Sequence, residues 1–93
     1  MLDPDGTVTA GNAPGLNDGA ACVVVASEEW ARRRGIEALA TIVAQASVAD
    51  DYALLAVTPA KAAASALQRA GTAISELRRV EINEAFASVA RHS

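Results

Sequence analysis

Asn83 stands between Val80-Glu81-Ile82 and Glu84-Ala85-Phe86-Ala87, where a short apolar run gives way to an Ala-rich one. The pattern predicts a strand feeding a helix, with a neutral amide at the C-terminal edge of a sheet. Open α/β sheets place their ligands at that edge. A fixed amide there can donate to an oxygen gaining negative charge, with no proton transfer of its own. An Asn directly before a helix is also a preferred N-cap, and the residues alone favour that cap over a ligand-facing role. Glu84 reads as a first-turn carboxylate favoured by the helix dipole. Cys22 is the single cysteine and lies inside AACVVVA. With no His or basic neighbour to activate a thiolate, it reads as a small buried hydrophobe. His92, the single histidine, reads as a solvated side chain, and no metal site is expected.

A second stretch with chemical potential is TVTAGNAPGLNDG at 7–19, with Gly11, Gly15 and Gly19 separated by Asn12, Asn17 and Asp18. Its small residues predict a loop whose backbone can approach another group closely. The glycines form neither a P-loop nor G-x-G-x-x-G. Asp3-Pro4-Asp5-Gly6 before it is a turn signature.

The intervening elements must carry these two stretches. Ala20 to Ala26 is a short continuous apolar run, which fits a strand buried on both faces. Ser27 then offers an N-cap, Glu28 and Glu29 a negative first turn, Arg32 to Arg34 a positive last turn, and Gly35 a stop. A helix of about two turns is expected, with Trp30 as its packing anchor. From Ile36 to Val48 the period becomes two, with Ala38, Ala40, Ile42, Ala44, Ala46 and Val48 on one face, so a long strand is expected. Ala49 to Tyr52 closes it as a loop. Thr58 and Pro59 predict a capped helix start, residues 60–70 a helix with a flat face of Ala63, Ala66, Leu67 and Ala70, and Gly71 its end. A loop through Ser75 and Glu76, a strand at 79–82 and a helix from about Glu84 complete the order. That alternation argues for an α/β fold with right-handed crossovers.

Composition bounds the partners. The chain has 93 residues, near the size where core burial is marginal, and 52 % are hydrophobic with three aromatics. Ala and Val dominate, which suits tight helix–sheet packing. A net charge of −3 argues against a nucleic-acid footprint. One cysteine permits no internal disulfide, no apolar run is long enough to span a bilayer, and no signal-peptide pattern opens the sequence. A cytoplasmic location is expected.

Thr9-Ala10-Gly11-Asn12-Ala13-Pro14-Gly15-Leu16-Asn17-Asp18-Gly19-Ala20-Ala21 and Glu81-Ile82-Asn83-Glu84-Ala85-Phe86-Ala87 together resemble the thiolase family. The resemblance extends over nearly the whole chain, in the right order and at the right separation. It implies a partial thiolase-like α/β fold from the junction of the two halves of such an enzyme. Residues 1–35 would end the N-terminal half and residues 36–93 begin the C-terminal half. It implies an acyltransferase that makes or cleaves 3-ketoacyl-CoA through a cysteine acyl-enzyme, acting on acyl-CoA and coenzyme A with no further cofactor. It also implies a homo-oligomeric parent, dimer or tetramer, while the charge and the apolar pattern lead to the expectation of no nucleic-acid or membrane partner. Asn83 would be the catalytic asparagine that holds a water in the oxyanion hole of the thioester enolate. Phe86 would line the acyl pocket, and the Gly-rich loop would run beside the pantetheine arm.

Two stretches depart from the family pattern. Pro14 stands where many thiolases have a serine contacting coenzyme A, and it has neither hydroxyl nor N–H to offer. Leu55 stands where the family often has the Met of Met-Gly-Ile-Gly-Pro, and Ala56 and Thr58 replace the two glycines. The family's nucleophilic cysteine, its Gly-His-Pro histidine and its second cysteine have no counterpart here. The expectation is therefore an internal fragment, inactive alone. Its alternative is a non-catalytic coenzyme A-binding or structural α/β module.

Overall fold

The computed structural model describes residues 3–93, so Met1 and Leu2, at the head of the expected first division, lie outside the described residues. Asp3 to Gly6 forms its turn: Gly6 N–H donates to Asp3 O at 3.0 Å, and Asp5 N–H to the Asp3 carboxylate at 3.0 Å.

Helix α1 is Glu28–Arg33, and its termini follow the sequence grammar. The Ser27 hydroxyl accepts from Trp30 N–H at 3.2 Å, satisfying one orphan donor of the first turn. Arg33 reaches Glu29 at 3.7 Å, an exposed pair worth only a few tenths of a kcal/mol (~0.3–0.5). Gly35 takes φ 64°, and the stop is a Schellman motif: Ile36 N–H donates to Ala31 O at 3.0 Å and Gly35 N–H to Arg32 O at 3.2 Å. Trp30 is no core anchor. It lies at the surface under the Arg34 guanidinium, 4.6 Å from the ring centroid.

Helix α2, Thr58–Ala70, is the longest element. Pro59 sits in its first turn as expected, but Thr58 is not the cap: its hydroxyl donates back to Leu54 O at 2.9 Å. That carbonyl belongs to a 3₁₀ turn, Tyr52–Leu54, which starts at the end of the expected loop, so the hydroxyl donates to the turn where a cap would accept from a helix amide. Gly71, at φ 65°, ends α2 with the same bond pattern as Gly35: Thr72 N–H to Leu67 O at 3.1 Å and Gly71 N–H to Gln68 O at 3.2 Å. Ala66, Leu67 and Ala70 of the expected flat face are half-buried, while Ala63 is exposed.

Two side chains clip α2 to the preceding segment. Lys61 pairs with Asp50, and Arg69 donates to Gln45 O at 2.8 Å, so the helix runs antiparallel to 45–50. Ala44, Ala46 and Val48 are half-buried and Val43, Gln45 and Ser47 exposed, an alternation of period two beside the helix. The Lys61 ammonium holds the Asp50 carboxyl below its ordinary value. A depressed folded-state value means that the contribution is present above the unfolded carboxylate pKa and is lost as pH falls through the folded one. Acidification through the low carboxylate range is therefore expected to release Lys61. The Asp50 carboxyl shift followed by NMR should show its step below the ordinary carboxylate value, and Lys61→Met should move that step back up.

A second 3₁₀ turn, Ile74–Glu76, follows, with the Glu76 carboxylate accepting from Ala73 N–H at 2.7 Å. Helix α3 is Ala87–His92, three residues later than expected. Phe86 precedes it in extended backbone, φ −148° and ψ 154°, and does not lie on the helix.

The three expected strands are not formed: among the described residues, 20–26, 36–48 and 79–82 carry no strand structure. No backbone hydrogen bond between described residues joins any two of them. Ladder bonds need a neighbour in register, and a minimal sheet needs three strands or a covering layer to be stable in water. The apolar residues are consequently left out. Val24 is 93 % exposed and Leu39 107 %, and Cys22, expected inside, is exposed as well. Among the described residues, Val89, at 3 %, is the one buried hydrophobe.

The dimensions agree. A compact chain of this length has a radius of gyration of about 12 Å, whereas this one measures 17.6 Å with extents of 59 × 33 × 23 Å. Its accessible surface is 8760 Å², against about 5,000 Å² for a compact monomer of the same mass. About 3,700 Å² of surface therefore stands open that a self-contained fold would cover.

Candidate functional site

The Gly-rich loop and the Asn83 stretch, at opposite ends of the sequence, meet in space. Ala87 opens α3, and its N–H, one of the helix's unpaired donors, bonds Asn12 O at 3.1 Å. Around this link lies an open concavity of about 230 Å³ lined by Gly11, Asn12, Ala13, Pro14, Glu84 and Ala87. Ligand pockets generally enclose about 300–1,000 Å³. A hollow smaller than that, and open to solvent, can present one wall to a ligand but cannot enclose it.

Asn83 sits one residue from this lining. Its carbonyl accepts from Ala85 N–H at 3.0 Å, which turns the chain sharply before α3. Its side chain is exposed, makes no hydrogen bond among the described residues, and caps no helix, since α3 begins beyond Phe86. The N-cap role, which the residues alone favour, is not used, because α3 starts four residues beyond Asn83. Pro14 lines the hollow; Phe86 is half-buried beside α3 without lining it. Leu55 lies elsewhere, in the turn leading into α2, half exposed. Thus Pro14 and the Asn83 turn come together, while Leu55 does not join them. A second shallow concavity of about 260 Å³, lined by Val24, Val25, Ala26, Ser27 and Trp30, borders α1.

Asn12, to which the sequence pattern gives no role of its own, organises the loop. Its N–H donates to Thr9 O at 3.1 Å, its Oδ1 accepts from Thr9 N–H at 2.7 Å, and its Nδ2 donates to Thr7 O at 2.8 Å. Gly11 N–H adds a bond to the Thr9 hydroxyl at 3.3 Å. The usable sequence signal was Thr9-Ala-Gly-Asn12 itself, in which Thr and Asn can both bond nearby backbone and fix a turn.

A loop carbonyl seated on a helix start, beside an unengaged amide, is how this chain arranges its two motifs, and the comparisons with known proteins fall on both. Residues 36–93 match the family described as "Thiolase, C-terminal domain", and residues 1–29 match "Thiolase, N-terminal domain". The chain belongs to the thiolase family. It is similar to the acetyl-CoA acetyltransferase of Shinella zoogloeoides, 52 % identical over 96 % of this chain, and to that of Rhizobium meliloti (strain 1021), 48 % over 96 %. It is also 43 % identical, over 92 % of its length, to the 3-oxoadipyl-CoA/3-oxo-5,6-dehydrosuberyl-CoA thiolase of Escherichia coli (strain K12). The chain spans 23 % of the length of the first two and 21 % of the third. Among the described residues, no helix is long and apolar enough to cross a membrane.

Proposed function

We propose that this chain is the part of a thiolase, of acetyl-CoA acetyltransferase type, that carries the oxyanion asparagine and one wall of the acyl-CoA site. The observation that carries the reading is the Ala87–Asn12 bond, which brings the Gly-rich loop against the turn containing Asn83. Residues 1–35 close the N-terminal half and residues 36–93 open the C-terminal half. The parent acts on acyl-CoA and coenzyme A as a homo-oligomer in the cytoplasm.

In this reading the thioester carbonyl oxygen gains charge as its enolate forms, and Asn83 Nδ2, or a water it holds, donates to that oxygen. No proton leaves the amide, so the donor's work is electrostatic and depends on where it is held. The loop at 11–14 lies along the neutral pantetheine arm, where Pro14 contributes shape and no hydrogen bond. Phe86 and Leu55 contribute apolar surface to the acyl side once the rest of the pocket surrounds them. The attacking thiolate comes from elsewhere in the parent, because Cys22 has neither a histidine nor a cation beside it in sequence.

A coenzyme A-release assay tests this directly. The 93-residue chain is expected to show no turnover. The Shinella zoogloeoides enzyme with its 89 matched residues replaced by those of this chain is expected to retain turnover. Cysteine-independent turnover by the isolated chain would overturn the reading. A folded, inactive chimera would do so too.

A further inference from the structure

Asn12 closes the 7–12 loop with its side chain and N–H and links that loop to the start of α3 with its carbonyl. Three of its polar groups close the loop on itself, through Thr9 O, Thr9 N–H and Thr7 O, and the fourth, its carbonyl, meets Ala87 N–H. A carbonyl is aimed only as well as its peptide plane is held, and here the side chain holds it. We propose that Asn12 is a positioning residue: its carboxamide locks the 7–12 loop so that its own carbonyl seats on the first amide of α3, and this fixes the place of Asn83 relative to the loop. The functional half of the inference rests on the oxyanion role proposed for Asn83; the structural half does not.

The amide is the side chain this geometry requires. Asn12 Oδ1 must accept from a backbone N–H while Nδ2 donates to a backbone carbonyl, so one group of each kind is needed. Asp at this position would keep the bond from Thr9 N–H but set a second oxygen against Thr7 O. Ala would lose both. The loop would then sample other shapes, and Ala87 N–H would lose its acceptor for part of the time. A donor displaced by about 1 Å can lose on the order of 10²-fold in rate, so small shifts of the Asn83 turn matter.

Two measurements test this. In the dilute 93-residue chain, amide hydrogen exchange at Ala87 is expected to be about tenfold faster in Asn12→Ala, with Asn12→Asp in between, as befits losing two or one of the loop's hydrogen bonds. Unchanged Ala87 exchange in Asn12→Ala would overturn the proposal whatever the chain's function. In the chimera, Asn12→Ala is expected to lower kcat about 10- to 100-fold with KM for the CoA thioester within about twofold. In an Asn83→Ala background, the same change should cost less than about twofold more, because its effect acts through Asn83. Additive losses, or a loss confined to KM, would overturn the positioning role. If Asn83→Ala alone left turnover untouched, the oxyanion reading would fail while the exchange result still judged the lock. A chimera that failed to fold would leave the Ala87 exchange measurement to decide.

Discussion

Asn83→Ala in the full-length chimera is expected to lower kcat by about 10²–10³-fold, the cost of removing one preorganised oxyanion donor. The size of the effect follows from when the interaction is made. The ground-state thioester oxygen carries little charge, so the amide contributes little to binding and KM should stay within about twofold. On the proposed role the enolate oxygen would carry nearly a full charge, and a fixed donor is worth most where charge has developed. Asn83→Asp should be at least as damaging, since it sets a carboxylate where an anion develops. The structure frees Asn83 from the competing duty of helix capping: α3 starts at Ala87 and Phe86 occupies the flanking position. The alanine variant is accordingly expected to unfold at the same denaturant concentration as its parent. A drop in stability with turnover intact would return Asn83 to a structural part.

The isolated chain is expected to self-associate as its concentration rises. About 3,700 Å² of accessible surface is open beyond that of a compact monomer, and the largest contributors include Val23, Val24, Val25, Leu39, Ile42 and Val43. A standard protein interface takes about 800 Å² from each partner, so the open area suffices for several non-exclusive contacts. Backbone in 20–26 and 37–44, which forms no hydrogen bond among the described residues, adds donors and acceptors that a second copy can satisfy. Sedimentation velocity should show a weight-average mass that climbs with concentration, together with binding of an apolar dye. The paired change Val24→Lys and Leu39→Lys should reduce both. A chain that stayed monomeric and dye-free at every concentration would contradict this account of the exposed runs.

Which features were legible in the sequence follows from the range of the interactions that make them. Ser27, the paired glutamates, the arginines and Gly35 specify α1 through contacts no more than five residues apart, and each formed as read. The same holds for Pro59 and Gly71 in α2. The strands depend on partners distant in the sequence, and a run such as AACVVVA states only that it would be stable if paired. Its period and composition were legible; its pairing was not. Around Ala44 to Val48 the alternation survives because α2 covers one face of it. At the site, the two motifs could be recognised by their residues, but the bond joining them involves the backbone of Ala87 and Asn12, and backbone carbonyls leave no signature in a side-chain pattern. Thr58 shows the reverse error. A hydroxyl before Pro is a good cap in isolation, yet the 3₁₀ turn at Tyr52–Leu54 placed Leu54 O within its reach.

Gly35 has a mechanical consequence. It closes the interval 30–35 that separates the two family-matched regions, 1–29 and 36–93. A flexible tether of about six residues would wander over roughly 13 Å in any direction. This interval is instead the second half of a helix and its stop, with Gly35 N–H and Ile36 N–H both bonded back to α1. The outgoing chain thus leaves on a heading set by helix geometry, and the joint behaves as a stiff elbow in place of a string. Because the bend relies on a left-handed residue, any side chain at 35 would strain the elbow itself before it touched anything else.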